Sequence, residues 1–229
     1  MFTDRQTDRQ TDRQTDRQAG HRLFMPTNKK FFSTMLRQQI ILWRLNKTPI
    51  WNIPLRNWLF KKLVAEIDGP PFCVNPPSYF QEGNNTHIGK NFYCGTNFTC
   101  LDHGGVYIGD NVMIAPNVTI ASHKHSKVVE QRSVKIFKNS FHPQKSGEIE
   151  IIAPVKIGNN VWIASGCIIF PGVSIGNNAV IGAGSVVTKD IPEDVIAYGN
   201  PCKVIRKINE NDRVPDEQCE RLYKGKMYS

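Results

Sequence analysis

The chain has 229 residues, 40% of them hydrophobic, with 29 Lys+Arg against 20 Asp+Glu and a formal charge of +9. That length bounds one domain with tails and a sizeable core. The charge favours an acidic ligand, and no apolar run approaches the ~18 residues of a membrane span. Cys73, Cys94, Cys100, Cys167, Cys202 and Cys219 form no C-x-x-C pair. They read as small hydrophobes in a reducing, cytoplasmic setting. There is no h-region of a signal peptide at the N-terminus. The basic residues are scattered, without an Arg-rich helix or an RNA-binding signature, so no nucleic-acid partner is expected.

In chain order, residues 1–32 form a tail in which Thr-Asp-Arg-Gln occurs four times over 3–18. Such a tract has almost nothing to bury and is expected to be disordered. Residues 33–77 are a helical segment, expected over 33–67, followed by a proline-rich connector. Leu55, Trp58, Leu59, Leu63 and Ile67 keep a helical stripe behind Asn52 and Pro54. The stripe is expected to pack across an open end of the following domain, the other reading being a membrane surface.

Residues 78–207 carry a repeat. A branched aliphatic returns every six residues at Ile157, Ile163, Ile169, Ile175, Ile181 and Val187, and Asn or Gly stands three places after each of the first five. Ile88, Cys94 and Cys100 keep the same period, Leu101–Val106 break the phase by two, and Ile108, Ile114 and Ile120 restore the repeat. This period specifies a solenoid of very short strands. The aliphatics point inward, and Asn or Gly takes a turn position where positive φ is cheap. Three strands make a coil that advances by about 4.8 Å.

The pattern stops over 121–156, a polar loop of 36 residues containing His123, His125 and His142. A loop of that length is usually functional. Histidine suits acid–base chemistry near neutrality, and one placed where a rigid coil becomes a loop is well held. The plainer reading makes both residues ordinary polar loop positions. Residues 208–229 are a charged tail.

Four stretches, 76–93, 107–120, 155–166 and 171–208, resemble the hexapeptide-repeat O-acetyltransferases, specifically the maltose and galactoside O-acetyltransferases, which are similar to nodulation-type sugar acetyltransferases. The last of them, PGVSIGNNAVIGAGSVVTKDIPEDVIAYGNPCKVIRKI, carries the most specific match. The resemblance implies an all-β, left-handed parallel β-helix, a homotrimer, and acetyl-CoA bound between neighbouring subunits, with no metal and no membrane partner. It implies a loop histidine as general base, eleven residues past the Ile of the IAPN hexad, which is His125, with His123 as second candidate. It places Ser165 at the oxyanion and Trp162 beside it. For the cofactor it indicates Ala183, Thr188, Lys189, Lys203 and Arg206, and for the acceptor Tyr93, Asp102 and His103. Read without the family, Ser165 is a varied repeat position, Trp162 a subunit contact, and Lys203 and Arg206 part of a solvated face. Gly95 stands where the family commonly has Asn, and Asp102–His103 where it has paired acids, so the acceptor is read only as a hydroxylated, carbohydrate-like molecule. Two other functions stay open: a catalytically silent trimeric scaffold, and a γ-carbonic-anhydrase-like zinc enzyme using three of the histidines.

Overall fold

The computed structural model describes residues 20–23, 29–69, 72–128 and 149–215. The Thr-Asp-Arg-Gln tract, His142 and Cys219 lie outside them. The six inward aliphatics from Ile157 to Val187 are 0–4% exposed. The residues that follow each turn, Val161, Cys167, Val173, Ala179 and Ser185, are equally buried. At Asn91, Asn97, Asn111, Asn117, Asn160, Gly166, Gly172, Asn178 and Gly184 the backbone turns with φ between 56° and 82°. Only Gly, or Asn with its locally bonding side chain, takes that conformation routinely. The repeat is therefore two buried side chains and one left-handed turn per hexad.

Three parallel sheets result. The first face stacks β2 (Glu66–Ile67), β5 (Thr86–Ile88), β8 (Val106–Ile108), β13 (Val155–Ile157) and β16 (Ser174–Ile175). The second stacks β3 (Phe72–Val74), β6 (Phe92–Cys94), β9 (Met113–Ile114), β14 (Trp162–Ile163), β17 (Val180–Ile181) and β19 (Val195–Tyr198). The third stacks β4 (Ser78–Phe80), β7 (Phe98–Leu101), β10 (Thr119–Ala121), β15 (Ile168–Ile169) and β18 (Val186–Val187). At the end of the second face β20 (Lys203–Lys207) folds back antiparallel on β19. Along the corner between faces one and two the side-chain amides form a ladder. Asn91 donates to Asn111, Asn111 to Asn160, Asn160 to Asn178 and Asn178 to Asp194, at 2.7–2.9 Å.

The solenoid begins at Glu66 rather than at 78, because β3 lies inside the expected connector. Phe72 and Val74 point inward there and are buried. The prolines that flank them are compatible with short extended segments, so they conceal a coil that has no neighbouring hexad to reveal its period. The helical segment is two helices, α1 (Lys29–Lys47) and α2 (Ile53–Leu63), and α1 starts within the stretch expected to be tail. The Asn52 side chain caps α2 by accepting from the Leu55 N–H, with Pro54 in the first turn. The predicted stripe divides. Leu59 and Leu63 are buried on the solenoid end, but Leu55 and Trp58 are 42% and 56% exposed. Phe60 plugs the open coil, its ring centroid 5.6 Å from those of Phe72 and Phe80 and 6.5 Å from that of Phe92.

The long loop is not structureless at its ends. β10 runs through Ser122 into β11 (His123–His125), which pairs antiparallel with β12 (Ile149–Ile152). On the other side of β12 lies β1 (Gly20–Leu23), also antiparallel. A three-stranded arm thus leaves the corner between faces three and one, and part of the expected tail is one of its strands.

Candidate active site

The arm sets the histidines against carboxylates. In the β11–β12 register His125 stands opposite Glu150 and His123 opposite Ile152. With period 2 along a strand, His123, His125 and Glu150 share one face of the arm. Under that face, at the same corner one coil earlier, lies His103. Its Nδ1 meets Glu82 and its Nε2 is 3.4 Å from Glu150 Oε2. The His103 and His123 rings meet edge to face at 5.7 Å. Glu82 and Glu150 are mostly buried, at 19% and 12% exposure of their side chains. No local motif marks either residue. Glu150 reaches His125 only through strand pairing across the loop, and Glu82 reaches His103 only through coil stacking.

His125 is exposed and His123 is half-buried. Burial holds the His123 imidazolium below its ordinary pKa; Glu150 opposes the shift, and His103 and His125 add to it. Its Nδ1 is buried with no hydrogen-bond partner among the described residues. The folded state therefore prefers neutral His123, whereas the unfolded chain protonates it near its reference value of about 6.5. Unfolded protein binds more protons between the two values. The stabilisation is full above about pH 6.5 and is lost as pH falls through the lowered folded value. Acidification from roughly pH 7.5 to pH 5.5 is expected to lower the thermal midpoint less in His123→Gln than in the parent. An unchanged pH slope would assign the acid sensitivity to other groups.

Two residues expected at the acceptor have other work. Asp102 is fully buried. Its Oδ1 accepts from the Glu82 N–H at 2.9 Å, and its Oδ2 from the Asn85 N–H at 3.3 Å and the Thr86 hydroxyl at 3.0 Å. It closes the corner between β4 and β5. His103, 8% exposed, is engaged by the two glutamates and braces the arm. Within this chain both side chains are enclosed and engaged by their own neighbours. Tyr93 is exposed on face two and its hydroxyl accepts from Asn75 Nδ2 at 3.0 Å.

The residues expected at the cofactor do not gather with the histidines in one chain. Trp162, 48% exposed, lies on face two in register with Met113 and Val180. Ser165 and Ala183 are exposed one coil apart at the corner of faces two and three, where the Gly184 N–H donates to the Ser165 carbonyl at 2.8 Å. Thr188 and Lys189 follow β18, at the corner from which, coils earlier, the arm leaves. Lys203 and Arg206 are exposed on β20. Arg206 is held by Asp212 through two hydrogen bonds of 2.5–2.6 Å, and that bonding lowers the Asp212 carboxyl to about 2. The arm and the Ser165 corner are thus separated by the width of face three.

Comparison with known proteins places this arrangement. Residues 154–189 match the family described as bacterial transferase hexapeptide (six repeats), and residues 83–122 match the hexapeptide repeat of succinyl-transferase. The chain is 43% identical over 178 residues to galactoside O-acetyltransferase of Escherichia coli K12, covering 78% of this chain and 81% of that one. It is 37% identical over 193 residues to the Lactococcus lactis galactoside O-acetyltransferase, covering 83% and 86%. Among solved structures, a galactoside acetyltransferase in complex with coenzyme A superposes with a TM-score of 0.72 at 42% identity, covering 83% of this chain and 88% of that one. A maltose O-acetyltransferase from Clostridium difficile 630 superposes with a TM-score of 0.72 at 37% identity, covering 82% and 94%. With its period-six core, its broken coil and its histidine arm, the chain belongs to the hexapeptide-repeat acetyltransferases of the galactoside and maltose O-acetyltransferase family.

Proposed function

We propose that this protein transfers the acetyl group of acetyl-CoA to a hydroxyl of a sugar or a similar small hydroxylated acceptor, with His125 as general base. The observation that carries the reading is the pairing of His125 with Glu150 on an arm braced by His103. That register sets a carboxylate and an imidazole on the same face of the arm. A sugar hydroxyl is a poor nucleophile at neutral pH, so a placed base is worth about 10²–10⁴-fold. His125 takes the hydroxyl proton as the oxygen attacks the thioester carbonyl. The tetrahedral intermediate then collapses, the carbon–sulfur bond breaks, and the departing thiolate takes the proton back from His125. Ser165 is positioned to donate to the developing oxyanion. Lys203 and Lys189 supply cations for the phosphates of coenzyme A, and Trp162 gives an apolar wall.

Because the arm and the Ser165 corner lie on different corners of one solenoid, the complete site needs a neighbouring copy. A trimer built around the solenoid faces would bring the arm of one chain to the corner of the next. Among the described residues no helix is long and apolar enough to cross a membrane. The test is a screen of sugars and other hydroxylated acceptors with acetyl-CoA, read as free thiol release. Turnover on a carbohydrate supports the reading. Coenzyme A binding without turnover on any hydroxylated acceptor would leave a silent scaffold.

A further inference from the structure

The helical cap carries more apolar surface than the solenoid uses. On α1, Leu42 and Leu45 are buried and Ile41 packs against the core. On its other side Leu36, Ile40 and Trp43, at i, i+4 and i+7, are 46–63% exposed. A helix that is apolar on both faces has a second partner. The exposed stripe continues through Ile50 and Trp51 in the turn between the helices to Ile53, Leu55 and Trp58 on α2. Three of the four tryptophans of the chain therefore stand exposed at one end of the molecule, with Trp51 at 76%. A patch of this size on a soluble domain marks an interaction surface.

Its charge identifies the partner. From Ser33 to Ala65 the chain has no Asp or Glu, while Arg37, Arg44, Lys47, Lys61 and Lys62 on the two helices are all exposed. The groove between the helices has Leu36, Ile40 and Trp58 in its walls and Arg37, Arg44 and Lys62 at its rim. A second copy docked face to face would oppose five cations to five more with no acid between them, so self-association here works against its own charge. The Thr-Asp-Arg-Gln tract has no apolar side chain to fill the stripe. Tryptophans with branched aliphatics, ringed by Lys and Arg, match the boundary between anionic headgroups and acyl chains.

We propose that the face formed by α1, the Pro49–Trp51 turn and α2 docks on an anionic lipid surface. The tryptophans enter the headgroup boundary and the five cations meet the phosphates and carboxylates above it. The solenoid is then held on the far side of the cap, with its first coil nearest the bilayer.

The test is co-sedimentation of the full chain with phosphatidylcholine vesicles and with vesicles that also contain phosphatidylserine. Binding is expected to the anionic vesicles and to weaken with salt. The triple variant Trp43→Ser, Trp51→Ser, Trp58→Ser, which keeps every charge, is expected to lose about tenfold or more in vesicle affinity with an unchanged melting profile. The pair Lys61→Ala, Lys62→Ala is expected to lose about tenfold on anionic vesicles only. No vesicle binding by the parent, equal binding to neutral vesicles, or binding unchanged in the tryptophan variant overturns the proposal. So does concentration-dependent association in lipid-free solution that the same tryptophan substitutions abolish, since it assigns the face to a second copy.

Discussion

His125→Ala is expected to lower acetyl transfer by about 10²–10⁴-fold and to leave coenzyme A affinity nearly intact. The side chain is exposed on the arm, so its removal leaves no cavity in the core and the loss reads as chemistry. His123→Ala is the matched control. Its ring is half-buried and its Nδ1 is enclosed, which suits a packing role better than proton transfer to a bound acceptor. If His123→Ala proves the dead variant and His125→Ala turns over normally, the base is His123. Thiol release under saturating acetyl-CoA, together with a separate measurement of coenzyme A binding, decides between them.

Arg56→Met is expected to destabilise the N-terminal end of the molecule by about 3–5 kcal/mol. Arg56 is 5% exposed. It donates to the carbonyls of Leu45 at 2.8 Å, Thr48 at 2.7 Å and Val74 at 2.5 Å. One guanidinium thus ties the end of α1, the inter-helix turn and β3 together. Its burial lowers its pKa; among the described residues no carboxylate pairs with it, and the planar fork is matched to carbonyl oxygens instead. Methionine keeps much of the stem but leaves three acceptors unpaired, at about 1–3 kcal/mol each before relaxation. Solenoids couple mainly between neighbouring coils. Hydrogen exchange should therefore lose protection in α1, α2 and β3 first, while the coils from β13 to β18 keep theirs. Uniform loss across the solenoid would mean that the cap is not a separable unit.

The coils from Ile157 to Val187 were fully legible, because a solenoid writes its geometry into a strict period: buried Ile163 and left-handed Asn160 are the same rule at two phases. The first coil was not legible, since Phe72 and Val74 stand alone between prolines. Helix amphipathicity was legible on α2 but not its division, because Leu59 and Trp58 are equally apolar and only docking separates buried from exposed. For the proposed base, the family resemblance supplies the count from Ile114 that leads to His125. Glu150 was not legible, since its link to His125 exists only in an antiparallel register across the loop. Nor were the intrachain partners of Asp102 and His103 legible, because polar residues at a solenoid corner serve either a ligand or the turn itself, and the Glu82 and Thr86 contacts exist only through coil stacking.

The antiparallel return of β20 on β19 bears on how the molecule ends. Every other strand pair of the solenoid is parallel, an arrangement that stacks without limit in fibres. β20 covers the last strand of face two with a reversed segment carrying Lys203, Arg206 and Lys207, and at the opposite end Phe60 and α2 sit over the first coil. An incoming chain finds a charged, wrongly oriented strand at one end and a helix at the other. The number of coils is thereby fixed within the chain, and the same stacking that makes the core regular is kept from becoming a filament.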